Sequence, residues 1–193
     1  MTDLAHEQYT PEQIAEAARV IEGSFDPATG RHPIEIFNAI NRTAVRPVVE
    51  IAVFSPDNQE VLLTKREDDD PYYANTWHLP GVIVVPADIG GKYENAYDNA
   101  AVRALDEIKG THINGLHPLS VKWLTHDPRI SLRGGEAAMI YGGMLMDEEP
   151  TVGEMFDVEH LPEPIHEHHP SLILSAQKAM VIAPAMNSWP HRI

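Results

Sequence analysis

Residues 103–110, RALDEIKG, place Arg103 and Glu107 one helical turn apart. Side chains at that spacing share a face and can pair. Ala104 and Ile108 make the rest of the face apolar, and Asp106 points about 100° away around the helix. Glu94 and Asp98 stand near the start of the same helix. There a carboxylate either stabilises the helix N-terminus through its dipole or reaches toward a neighbouring site. Tyr72 and Tyr73, in the acidic loop DDDPYY, and Trp77 have faces on which a base or a sugar could stack. Trp77 also reads as core, because it opens a strand. The cluster HEHHP, residues 166–170, has the close histidine spacing that binds Zn²⁺ or Ni²⁺. Adjacent His168 and His169 cannot easily face one ion from a helix, so the cluster reads as a surface helix start.

The elements that would carry these residues follow from local signals. YTPEQIAEAARVIEG reads as a helix with Thr10 as cap, Pro11 in the first turn and Gln13 completing a capping box. Ile14, Ala17, Ala18 and Ile21 form its apolar face, and Gly23 ends it. A turn-rich linker leads to PIEIFNAIN, a short second helix or arm. Residues 1–45 therefore read as an N-terminal helical arm and residues 46–193 as the main domain. Strands are predicted over 47–54 (PVVEIAVF), 60–67 (EVLLTKRE) and 77–85 (WHLPGVIVV), the last broken at Pro80-Gly81. A helix is predicted over about 93–109, with Ala100, Ala101, Ala104, Leu105 and Ile108 as its apolar stripe. LSVKWLTHD and residues 136–146 read as further strands, and residues 171–183 as a closing helix. Strands and helices mix without βαβ regularity, which predicts an α+β fold.

Composition bounds what such a domain does. With 193 residues, 43% of them hydrophobic, the chain can bury a proper core. It has no cysteine, which excludes disulfides and thiolate metal sites. The net charge of −15, without a basic stripe, disfavours long nucleic acid as a partner. It does not exclude a small nucleotide, whose phosphates a metal ion can bridge to carboxylates. No apolar run approaches a membrane span, and the N-terminus lacks the pattern of a secretion signal. The cytoplasm is the default expectation.

Taken in order, the strand pair, WHLPG, glycine loop, acidic helix, later strands and EMFDVEHLPEPI resemble the Nudix family over residues 47–183. The signature of that family is G-x5-E-x7-R-E-U-x-E-E-x-G-U, with U aliphatic. Arg103, Leu105, Glu107 and Gly110 match it. Ala104 and Ile108 replace two of its glutamates, and Thr111 its last aliphatic residue. Asn95 falls on the upstream glutamate beside Glu94, and Ile89 on the first glycine beside Gly90. Val82 departs from the usual second glycine of W-x-L-P-G-G.

The resemblance implies an α/β/α sandwich around a mixed β-sheet, with the N-terminal helices as an extension. It also implies a hydrolase that cleaves nucleoside diphosphates linked to another moiety, using Mg²⁺ or Mn²⁺. By that likeness Arg103 would orient Glu107. Glu136 would supply an extra catalytic or metal-binding acid, and the metal set would be Glu107, Glu94 and Glu136. The site is expected to be reduced, because one exposed carboxylate binds Mg²⁺ poorly. Tyr72, Tyr73, Trp77 and Gly81 would bind substrate. A branch of the family with a similarly reduced box hydrolyses GDP-sugars with a histidine base, which makes His126 the candidate here; its other reading is a solvated loop histidine. The competing expectation is a Nudix-fold domain without catalysis that binds a nucleotide-like ligand or a protein partner. The partner expected is a small nucleotide-like molecule, neither long nucleic acid nor membrane. The arm leaves homodimerisation and packing on its own domain both open.

Overall fold

The computed structural model describes residues 10–26, 32–70, 72–125, 135–146 and 149–182. It opens with helix α1 (Pro11–Ser24), capped as its sequence dictates: Thr10 accepts from the Gln13 amide and Gln13 reaches back to the Thr10 amide. None of its residues is buried, although one side is apolar. Helix α2 (Ile34–Thr43) is tied to the domain through Phe37, whose ring lies 5.6 Å from the Arg46 guanidinium carbon.

Seven strands among the described residues form one mixed sheet. Strands β1 (Arg46–Phe54) and β2 (Glu60–Lys65) are antiparallel and joined by a tight turn at Asp57-Asn58. Strand β6 (Gly135–Leu145) runs parallel to β1, with Arg46 opposite Glu136 and Phe54 opposite Met144. Strand β5 (Ile113–Thr125) completes that edge, antiparallel to β6. Strand β7 (Glu154–Asp157), which the sequence reading lacked, pairs with β2.

The predicted strand 77–85 is two short strands with different neighbours. Strand β3 (Trp77–His78) pairs with β2, and β4 (Gly81–Ile83) pairs with β1. Pro80 cannot donate to a ladder, so the chain leaves one partner there and joins the other. The Pro80 carbonyl still accepts from the Ile51 amide at 2.8 Å.

Both faces of β1 are covered, as its nearly continuous apolar run requires. Val48, Ala52 and Phe54 pack with Leu79, Leu172, Ile173 and Ala176, the last three from helix α4 (His169–Ile182). Val49, Ile51 and Val53 pack with Ala100, Ala101, Ala104 and Ile108 on the other side. The helix carrying these alanines, α3 (Ala96–Ala104), is shorter than the predicted 93–109 and ends in a 3-10 turn, Leu105–Ile108. Asn95 sets its start by accepting from the Tyr97 amide. Asn99 holds residues 88–95 as a loop, donating to the carbonyls of Asp88 at 3.0 Å and Tyr93 at 2.7 Å. Gly110 ends the turn at φ +90°, where a side chain would be strained. No helix among the described residues is long and apolar enough to cross a membrane.

Candidate active site

The site lies where β1 and β2 splay apart and the chain crosses between them at Leu79-Pro80. Gly81 stands opposite Glu50 in the β1–β4 ladder. A Cβ on Gly81 would collide with the Glu50 carboxyl group and come within 2.7 Å of the Val49 carbonyl, so only glycine fits. The Gly81 amide donates to Glu107 Oε2 at 3.1 Å. Two carboxylates, from β1 and from the turn after α3, thus touch one glycine from two sides.

Glu107 keeps an exposed edge, yet the protein around its carboxyl group raises its pKa; the Gly81 N–H and the charges of Arg66 and Arg103 partly offset that effect. Arg66, just past β2, donates to Asp70 Oδ2 at 3.0 Å. Asp70 Oδ1 accepts from the amides of Tyr72 and Tyr73 at 2.9 and 2.8 Å, which shapes the loop over 67–76. Burial works to raise the Asp70 pKa, but those amides and Arg66 outweigh it and the net shift is downward.

Two of the three histidines of HEHHP are buried and His168 is partly exposed. His166 and His169 are 4% and 3% exposed. The reason is a stitch along β3: the Trp77 amide donates to the Pro164 carbonyl, and the His166 amide to the Trp77 carbonyl, both at 2.9 Å. His166 packs at a tilt against both Tyr73, ring centroids 4.2 Å apart, and His169, at 4.5 Å. The Leu79 amide donates to His169 Nδ1 at 2.7 Å, so the other nitrogen of the neutral ring carries the proton. His169 Nε2 lies 4.0 Å from Glu50 Oε1. On the other side of the same residue, His78 Nδ1 donates to the Leu79 carbonyl at 2.6 Å and His78 Nε2 accepts from Thr64 Oγ1 at 3.2 Å. Among the described residues, no three His, Asp or Glu side chains are arranged to hold a metal ion.

Several expected site residues lie elsewhere. Arg103 does not hold Glu107. Its Nη2 and Nε donate to Asp88 at 2.8 and 3.2 Å, and Nη2 to the Ile83 carbonyl at 2.7 Å. Glu136 is buried against Arg46. It faces Arg46 in the ladder while Glu50 faces Ile140, four residues on, or about 13 Å along the strand. Glu94 is exposed ahead of α3, and His126 lies outside the described residues. Tyr73 is 6% exposed, its ring on His166 instead of free for a base. Tyr72 Oη donates to Asn38 Oδ1 at 2.6 Å and so fastens the loop to α2. Trp77 packs edge-on against Phe156 at 4.8 Å, with Lys65 Nζ 5.6 Å from its ring. Ala104 and Ile108 face the core. Asp98, in the first turn of α3, accepts from Tyr141 Oη at 2.5 Å. Burial, with the Asp98 carboxylate, pushes the Tyr141 phenol far above its usual pKa.

Sequence reasoning missed Glu50, Asp88 and Asn99. Glu50 had a legible signal, since a lone acid interrupts the apolar run PVVEIAVF, and buried acids are rare without a task or a partner.

In sequence comparison no family model and no curated protein matches the chain. Solved structures do. A NUDIX hydrolase from Nitrosomonas europaea is 12% identical, with a TM-score of 0.51 over 72% of this chain and 90% of that one. The NUDIX domain of Shewanella oneidensis NrtR, determined with ADP ribose, is 18% identical, with a TM-score of 0.50 over 86% of this chain and 98% of that one. Shewanella oneidensis NrtR itself is 19% identical, with a TM-score of 0.53 over 70% of this chain and 63% of that one. The chain therefore has the Nudix fold, an α+β sandwich around a mixed sheet, as its sequence resemblance implied.

Proposed function

We propose that this protein hydrolyses a nucleoside diphosphate-linked compound at a reduced metal site built on Glu107 and Glu50. The observation that carries the reading is the meeting of both carboxyl groups on Gly81. Two of the family's box carboxylates are replaced by Ala104 and Ile108, and Glu50 supplies a second acid from another element. This donor set fits Mg²⁺ or Mn²⁺, hard cations that take oxygen ligands. Mg²⁺ in particular is often held by one or two carboxylates with waters and substrate phosphates. Such an ion would neutralise the diphosphate and favour attack by water.

The chain's own groups do the rest. The Gly81 N–H fixes the Glu107 carboxylate, and Arg66 adds positive charge close enough to act on it. Arg103 serves the segment before α3, and Glu136 serves the pair with Arg46; neither is assigned to the reaction. The ligand class is supported by the ADP ribose bound to the Shewanella NrtR domain.

The test is product release from ADP-ribose, nucleoside diphosphate sugars and dinucleoside polyphosphates with Mg²⁺ or Mn²⁺, for wild type, Glu107→Gln and Glu50→Gln. Turnover that falls about 100-fold in each variant supports the reading. Turnover that survives both substitutions removes the site assignment. Silence across the panel, with ADP-ribose still raising the melting temperature, would make this a binding domain.

A further inference from the structure

We propose that His169 is a positioning residue for Glu50: its Nε2–H, 4.0 Å from Glu50 Oε1 in this structure, closes to a hydrogen bond on that carboxyl group when ligand binds. The inference rests on the hydrolase reading above and adds a residue to it. Four observations converge. The Leu79 amide points at His169 Nδ1 from 2.7 Å, which requires a lone pair there and leaves the ring proton on Nε2. That nitrogen faces Glu50 Oε1 across 4.0 Å. The ring plane is held by His166, 4.5 Å away, itself backed by Tyr73. His169 and Glu50 side chains are 4% and 13% exposed, so water competes little for the contact.

A gap of 4.0 Å is too long for a hydrogen bond. Contacts of this kind commonly tighten when ligand binds. The arrangement also explains the placement of HEHHP: its last histidine spans from the Leu79 backbone to Glu50, and so joins the start of α4 to the strand crossover that carries Gly81.

The two ring nitrogens can be tested separately. Asparagine at 169 retains an acceptor near Nδ1 for the Leu79 amide and loses the reach to Glu50. Glutamine retains a donor near Nε2 and gives up the Leu79 contact. The expected result is a kcat about tenfold or more lower in His169→Asn with KM little changed, and most of kcat retained in His169→Gln. Long-range ¹H–¹⁵N spectra of the wild type should show His169 as the neutral Nε2–H tautomer, with an Nε2 resonance that moves in Glu50→Gln.

An Nδ1–H tautomer, an imidazolium, or an Nε2 resonance indifferent to Glu50→Gln overturns the proposal. So does the reverse pattern, active Asn and inactive Gln, which would make the ring a support for Leu79 alone. Wild-type kcat in His169→Asn, while Glu50→Gln and Glu107→Gln are dead, ends the positioning role and leaves the hydrolase reading standing. A wild type silent on every substrate ends both.

Discussion

Arg103 closes a two-pronged ion pair on Asp88, with Nη2 2.8 Å from Oδ2 and Nε 3.2 Å from Oδ1. The same Arg103 stands one helical turn before Glu107, the partner its sequence spacing suggests. Asp88 prevails because it is anchored: it is 5% exposed, and its Oδ2 also accepts from the Val85 amide at 2.8 Å. The guanidinium then reaches the Ile83 carbonyl and ties the end of β4 to α3.

Asp88→Ala should therefore destabilise the fold by about 2 kcal/mol, since it strands a backbone donor and a guanidinium together. Urea denaturation of the metal-free protein measures this. A change within error would show that the pair is ornamental and that Arg103 is free to serve Glu107.

Restoring the family's carboxylates should fail for a reason of packing. Ala104 and Ile108 are 0% and 1% exposed, in a core with Val49, Ile51 and Leu62. A carboxylate at either place would be buried unpaired, at a cost above about 3 kcal/mol. Ala104→Glu and Ile108→Glu should each lower the melting temperature sharply and create no Mg²⁺-dependent turnover. A well-folded, more active double variant would mean that these positions face the site.

The charge of Asp70 should matter in one pH window. Its pKa is lowered in the folded protein. A lowered carboxyl pKa contributes stability that is present above the unfolded value and is lost as pH falls through the folded one. Asp70→Asn keeps an oxygen for the Tyr72 and Tyr73 amides and removes the charge that Arg66 holds. The variant should be less stable than wild type by about 1–2 kcal/mol at neutral pH, and the difference should close on acidification. Thermal melts across that range decide it; a gap that widens toward acid would reverse the assignment.

Much of the architecture was legible because its causes are local. The Thr10–Gln13 capping box, the β-branched run of β1, the turn after it and the alanine stripe of α3 are each specified within a few residues. WHLPG, the box remnant and FDVEHLP, in order, pointed to the Nudix fold. The same sequence put Glu107 at a position that matches the Nudix signature, with apolar residues at 104 and 108. It misplaced HEHHP, because a backbone stitch to Trp77 leaves no local trace.

The candidate site was decided by tertiary structure. Glu50, Gly81, Glu107 and His169 come from a strand, a crossover, a 3-10 turn and the start of a distant helix. Ladder register sets Glu50 beside Gly81, and the packing of Ala104 and Ile108 sets where Glu107 reaches. The docking of α4 turns His169 toward Glu50. Composition and periodicity constrain which face of an element is buried; they carry no record of which polar groups from separate elements finally meet, because register and packing choose those partners jointly across the whole sheet.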